Sequence, residues 1–321
     1  DYMPLNAYPV AYTAGTVGKI NAEAMVVDIQ TKEDIELYRG KLKGKAVLIS
    51  SPAVIDLLTL INGVHRYNNE ELIALEQATI TPINANPARV IKNPTILTAV
   101  ERLAFLKSEN VAVVLQTDGN RLGIVPAYSR PGVREDGWSA AGMKNASPIL
   151  AVTPEHYNRM YRVLKRGIAV KIELEIKNKI GDKVEQAMNL VGEIPGTNPK
   201  EGIVMVGAHF DTWHGSSNAS DNSSGTAVAL EAMRILKTLG VKPMRTIRIA
   251  LWSGEEQGLY GSRGYVAQHF GDRATMVLKP EHEKISAYYN LDNGSGKIRG
   301  IYLQGNEAAG PIFKEWLKPF A

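Results

Sequence analysis

Three stretches between residues 207 and 256 decide how this chain is read: Gly207-Ala-His209-Phe-Asp211, Ser220-Asp221-Asn222-Ser-Ser-Gly225 and Trp252-Ser-Gly254-Glu255-Glu256. Residues 203–206, just before the first, are an unbroken apolar run that predicts a buried strand, with His209 just beyond its C-terminal end. In an open α/β sheet, sites form at that edge. After the second stretch, Val228, Ala229, Ala232, Met233, Leu236 and Leu239 recur at helical spacing, opposite Glu231, Arg234 and Lys237. Asp221 therefore stands at the entrance of an amphipathic helix. Residues 246–252 alternate as a strand and Gly254 turns the chain directly afterwards; a further strand, 285–291, runs into Asp292-Asn293-Gly294.

Each acidic group has an ordinary reading when taken alone. Asp221 would be a helix N-cap, Glu255-Glu256 a solvated helix start, and Asp-Asn-Gly a turn. The ordered series reads differently. A bound divalent metal needs deprotonated carboxylates or neutral imidazoles converging from separate elements, and hydrolysis needs one more carboxylate free to take a proton from water. Adjacent carboxylates on a strand point to opposite faces, whereas on a turn one can meet a metal while its neighbour faces the substrate.

The series His209-x-Asp211, Asp221-Asn222-x-Ser-Gly225, Glu255-Glu256 and Asn290-Leu-Asp292 resembles the signature of the M28 zinc exopeptidases, a co-catalytic two-zinc group of aminopeptidases and carboxypeptidases. Trp252-x-Gly254-Glu-Glu-x-Gly258-Leu-x-Gly261-Ser262 is similar to that family's pattern, and the likeness covers roughly residues 185 to 321. It implies that Asp221 bridges two Zn2+ ions, with His209 and Asp292 on one and Glu256 on the other. Glu255 would be the general base, and Asp211 would orient the His209 imidazole. A cis bond between Asp221 and Asn222 is also implied. The family's further His lies downstream of the last Asp ligand, and none of His65, His156, His214, His269 or His282 has that position. His214 is expected outside the ligand set. The chain reads as truncated at both ends, and by itself is expected to be catalytically silent.

Composition sets the outer bounds. A chain of 321 residues suggests two domains with ample core. The net charge of +4 comes from scattered basic residues without aromatic interleaving, so no nucleic-acid partner is expected. There is no cysteine, which excludes disulfides and thiolate metal ligands. No apolar run approaches the ~18 residues of a membrane span. The chain opens without a signal peptide, while the resemblance implies a secreted or periplasmic protein. A peptide substrate and a homodimer complete the expected partners.

Upstream, strands are expected at 22–28, 46–50, 111–116, 149–152 and 170–176, and helices at 54–61, 70–78, 95–107 and 153–165. Thr31-Lys-Glu-Asp34 has the form of a capped helix start, and Thr153-Pro154-Glu155 that of an N-cap with Pro at the first helical position. Residues 81–94 are Pro- and Asn-rich and read as irregular, and 119–147 as a long exposed loop. Three segments carry a resemblance to the protease-associated (PA) domain found as an insert in some M28 members: Leu42-Lys43-Gly44-Lys45-Ala46-Val47, Ala112-Val113-Val114-Leu115 and Pro148-Ile149-Leu150-Ala151-Val152-Thr153. Such a domain would be a packing module, or would border the cleft through Arg130 or Arg134 of the 119–147 loop. Asn145-Ala-Ser147, Asn218-Ala-Ser220 and Asn222-Ser-Ser224 match the glycosylation pattern, but a glycan on the last two would block the site.

The expected fold class is α/β, with a PA-like α+β domain and part of a zinc-peptidase α/β domain whose mixed sheet is mostly parallel. Residues 1–20 would be a lead segment from the peptidase domain, 21–168 the PA domain, and 169–321 the M28 zinc peptidase domain, incomplete at its C-terminus. The expected activity is zinc-dependent hydrolysis of peptide bonds, as an aminopeptidase rather than a carboxypeptidase or dipeptidase. A non-catalytic binding protein on the same fold, as in the transferrin-receptor branch, and a glutaminyl-cyclase-like acyltransferase are the rivals.

Overall fold

The computed structural model describes residues 2–55, 67–78, 96–117, 123, 125, 127–134, 138–181, 186–217, 219–293 and 296–320. The chain divides into two compact units, Asp1–Lys183 and Val184–Ala321, each with its own main sheet.

The first unit is built on six strands: β1 (Ala7–Pro9), β2 (Ile20–Val26), β3 (Ala46–Leu48), β4 (Val113–Gln116), β5 (Ile149–Val152) and β6 (Lys171–Leu174), in the order β1-β5-β4-β3-β2-β6. The four inner strands are parallel, and β1 and β6 close the two edges antiparallel. Parallel strands are covered on both faces, which explains why β3, β4 and β5 are nearly continuous apolar runs, while β2 alternates Asn21 and Glu23 with buried Ala22 and Ala24. Alternation divides them between two cores. Val47, Val114 and Ile149 face one cluster with Val27, Leu42 and Leu106, while Ala46, Leu48, Val113, Leu115 and Leu150 face another with Tyr157 and Met160.

Helices Lys32–Tyr38, Asn69–Gln77 and Ala99–Ser108 each begin at a reciprocal capping box, formed by Thr31 with Asp34, Asn68 with Glu71 and Thr98 with Glu101. The helix Pro154–Lys165 starts after Thr153 without a side-chain cap bond, its first turn set by Pro154. The segment expected as a long exposed loop is more ordered than that. Within it, Ala140–Asn145 is a helix capped by the Ser139 side chain on the Gly142 N–H. Arg130 is buried because its Nε donates to the Tyr12 carbonyl at 2.7 Å, whereas Arg134 is exposed. Of the helix expected at 54–61, Val54 and Ile55 are not helical; its remainder and the irregular segment 81–94 lie outside the described residues.

The second unit has β7 (Leu190–Ile194), β8 (Ile203–His209), β9 (Thr246–Trp252) and β12 (Ile285–Asn290) in the order β12-β8-β9-β7, beside a small hairpin of β10 (Gly271–Asp272) and β11 (Val277–Leu278). β12, β8 and β9 run parallel and β7 is antiparallel to β9, giving a mostly parallel mixed sheet. Ile203, Met205, Ala250 and Trp252 pack with Tyr265 on one face; Ile249 and Leu251 pack on the other with Ala229 of the helix Ser223–Thr238. β8 runs on to His209 because its parallel ladder with β9 continues to the His209–Trp252 pair. Among the described residues, no helix is long and apolar enough to cross a membrane.

Candidate metal centre

Three elements deliver the sequence-predicted residues to the C-terminal edge of the parallel strands. His209 ends β8, Asp292 follows β12, and Asp221 lies immediately before the helix that starts at Ser223. Asn222, not Asp221, caps that helix, its Oδ1 accepting from the Gly225 N–H at 3.0 Å. The Asp221 carboxylate is therefore free of the capping role, and the Asp221–Asn222 peptide bond is cis.

His209 is 2% exposed and both ring nitrogens are engaged. Nδ1 lies 3.2 Å from the Asp211 carbonyl oxygen and 3.4 Å from the Asp211 Oδ1, which assigns the proton to Nδ1. Nε2 then faces Asp221 Oδ1 at 3.0 Å and Asp292 Oδ1 at 3.2 Å, with Glu255 Oε2 at 3.9 Å. Ligand atoms of His209, Asp221 and Asp292 all lie within 4.8 Å of one another. One imidazole nitrogen and two carboxylate oxygens at that spacing suit a divalent cation of zinc type. The electrostatics fit as well. Burial pulls the His209 pKa down, yet the carboxylates of Asp292, Glu255, Asp211 and Asp221 together outweigh it and hold the imidazole above its ordinary value, so the pocket favours positive charge.

Glu255 and Glu256 leave β9 on the turn after Gly254. Each backbone N–H donates to an Asp211 carboxylate oxygen at 3.3 Å, so Asp211 holds the imidazole on one side and this turn on the other. Burial raises the pKa of Glu255, with Asp292, Asp211 and Asp221 adding to it and His209 opposing. Glu256 is raised too, first by burial and then by Asp221, its strongest charged neighbour. Asp221 thus faces the His209 and Asp292 pair as well as Glu256, while Glu256 is not one of the three residues whose ligand atoms converge. His214 is half-buried beside Trp213, the rings 4.9 Å apart, and burial lowers its pKa.

Two supporting residues lacked any sequence signal that distinguished them. Asn189 Oδ1 accepts from the Ser253 N–H and its Nδ2 donates to the Gly261 carbonyl, bracing the turn that carries Glu255. Thr226 donates to the His209 carbonyl at 2.8 Å. Asn222, part of both the resembling series and a glycosylation pattern, is fully buried, which rules out a glycan on the folded protein.

Residues 189–321 match the model for Peptidase family M28. Over 168 residues, 52% of this chain, the sequence is 32% identical to carboxypeptidase Q of Mus musculus. Over 122 residues, 38% of this chain and 20% of the relative, it is 37% identical to an aminopeptidase of Pseudomonas aeruginosa. The chain spans about a third of the length of the carboxypeptidase Q it matches (34%). Among solved structures, a Peptidase M28 precursor from Shewanella amazonensis SB2B superposes with a TM-score of 0.57 at 20% identity, covering 98% of this chain and 62% of that one. A zinc aminopeptidase from Bacillus subtilis gives a TM-score of 0.50 at 20% identity, covering 90% and 53%. At such identities the likeness speaks for the fold. The likeness to Peptidase family M28 lies in residues 189–321, and the solved neighbours share the fold.

Proposed function

We propose that the protein carrying this chain is a zinc-dependent exopeptidase with a two-zinc site, and that it removes residues from the N-terminus of a peptide. The observation that carries the reading is the convergence of His209, Asp221 and Asp292 at the strand ends, with Glu255 beside them. His209, Asp221 and Asp292 would hold one ion, and Asp221 with Glu256 would contribute to the other. Zinc bound there would supply Lewis acidity, polarising the scissile carbonyl and lowering the pKa of water toward about 7.

The remaining chemistry belongs to side chains. Glu255, held above its ordinary pKa chiefly by burial, is suited to accept a proton from the attacking water and pass it to the leaving amine. Asp211 keeps the His209 Nε2 turned toward the carboxylates and fixes the turn that presents Glu255. The aminopeptidase preference rests on charge. Asp211, Asp221, Glu255, Glu256 and Asp292 surround a single imidazole, and among the described residues no Lys or Arg pairs with them. Two divalent ions would bring four positive charges against these five carboxylates, a balance that favours a free amine over a free carboxylate. Residues 21–168 are read as a PA domain on the strength of their position ahead of the matched segment and of their sheet, whose edge strands β1 and β6 come from just outside those bounds.

Glu255→Gln, made in the complete protein, tests the assignment. The variant should keep its zinc content and lose on the order of 10²-fold to 10⁴-fold in kcat on aminoacyl anilides. Zinc lost together with activity would move Glu255 into the ligand set. Faster turnover of N-acylated peptides with free carboxyl ends would overturn the aminopeptidase preference, and zinc binding without turnover of either substrate would identify a binding protein.

A further inference from the structure

A helix N-cap needs only an acceptor, which Ser, Thr or Asp supplies as well as Asn. Asn222 is fully buried and uses both ends of its carboxamide. Oδ1 caps the Gly225 N–H, and Nδ2 donates at 3.0 Å to the carbonyl of Leu291, the residue joined to Asp292. Thr226 lies four residues on, one helical turn along the same face, and its hydroxyl donates at 2.8 Å to the His209 carbonyl. The first turn of this helix therefore grips the ends of β12 and β8 together. Those ends are also tied to each other, the Leu291 N–H donating to the Gly207 carbonyl at 3.1 Å. Gly225 allows the close approach, because a Cβ there would fall on both the Asn222 Oδ1 and the Leu291 carbonyl oxygen.

We propose that Asn222 and Thr226 are positioning residues that set the separation of Asp221, Asp292 and His209, and through it the affinity and shape of the metal site. The proposal rests on the metallopeptidase reading. Asp221 is bonded to Asn222 and Asp292 to Leu291, so the Asn222–Leu291 hydrogen bond limits how far the two carboxylates can part. Thr226 fixes the third group by holding the carbonyl of His209 itself. Groups that orient metal ligands without touching the ion typically contribute 10-fold to 100-fold in affinity.

The test uses the 321-residue chain, titrated with zinc against a chromophoric chelator and, separately, loaded with cobalt(II) for its visible absorption. Asn222→Ser keeps a capping oxygen but cannot reach Leu291. Thr226→Val is isosteric and removes only the hydroxyl, while Thr226→Ser retains it. We expect roughly 10-fold to 100-fold weaker zinc binding and a shifted cobalt spectrum for Asn222→Ser and Thr226→Val, with wild-type values for Thr226→Ser. Circular dichroism identifies a variant that does not fold, and the Thr226 pair then decides alone. Wild-type zinc affinity and cobalt spectrum in folded Asn222→Ser and Thr226→Val would overturn the proposal, as would a Thr226→Ser variant as weak as Thr226→Val. A wild-type chain that binds no zinc would overturn the metallopeptidase reading beneath it.

Discussion

His209 is the residue on which the site depends most, because burial leaves its two nitrogens with protein partners alone: Asp211 on Nδ1, Asp221 and Asp292 on Nε2. Asp221 comes next, since it neighbours both that pair and Glu256. If Asp221 bridges two ions, Asp221→Ala should lose both together, as each loses a ligand and the facing carboxylates are left without compensation. Metal analysis of the purified variant checks this, and retention of one full equivalent of zinc would count against bridging. Much at this scale was legible in the sequence. His209, Asp221 and Asp292 are found converging at strand ends and a helix entrance, where the apolar runs and the amphipathic pattern put them. Asn189 and Thr226 were not legible, because a polar side chain that braces a turn or a strand end through main-chain contacts has the same local pattern as any solvated Asn or Thr.

Elements were legible where their signals are local. Thr31-Lys-Glu-Asp34 announces a capped helix, and both reciprocal bonds of the box are present. Backbone N–H bonds from Gln30 and Thr31, with the Thr31 hydroxyl, hold the Asp34 carboxylate below its ordinary pKa. Its contribution is therefore present above the ordinary carboxylate value and is lost as pH falls through the depressed one. Thr31→Ala should destabilise the first unit by about 0.5–2 kcal/mol at neutral pH, read as an earlier urea midpoint with an unchanged slope. A variant with the wild-type midpoint would mean that water or a neighbour replaces the cap. Pairing partners were not legible in the same way. β1 bonds to β5 and β6 to β2 across separations of about 140 to 150 residues, and nothing in three or four alternating residues names a distant partner. The buried place of Arg130 escaped notice for a related reason, since it depends on the carbonyl of Tyr12, far away in the chain.

At the scale of the whole molecule, two units with separate sheets and cores should unfold in two steps, and the candidate metal ligands all lie in the second. His209, Glu255 and Glu256 are each held above their ordinary values of 6.5, 4.5 and 4.5. These three groups therefore bind protons more tightly in the native second unit than in its unfolded chain, and without metal their contribution to stability falls as pH rises, while the half-buried His214, lowered by desolvation, opposes them. The contribution is fully present below the ordinary values and is lost as pH climbs through the raised ones. Zinc competes with those protons for the same groups, so its stabilising effect should grow from pH 5 to pH 8, reaching about 2.7 kcal/mol at a free concentration 100-fold above Kd. Calorimetry with chelator and with added zinc at both pH values checks each part. The expected record has one transition indifferent to zinc and a second that moves up with it, more at pH 8 than at pH 5. A second transition that rises with pH in chelator would show that His214 outweighs the three raised groups. Zinc raising both transitions equally would show that the two units unfold as one.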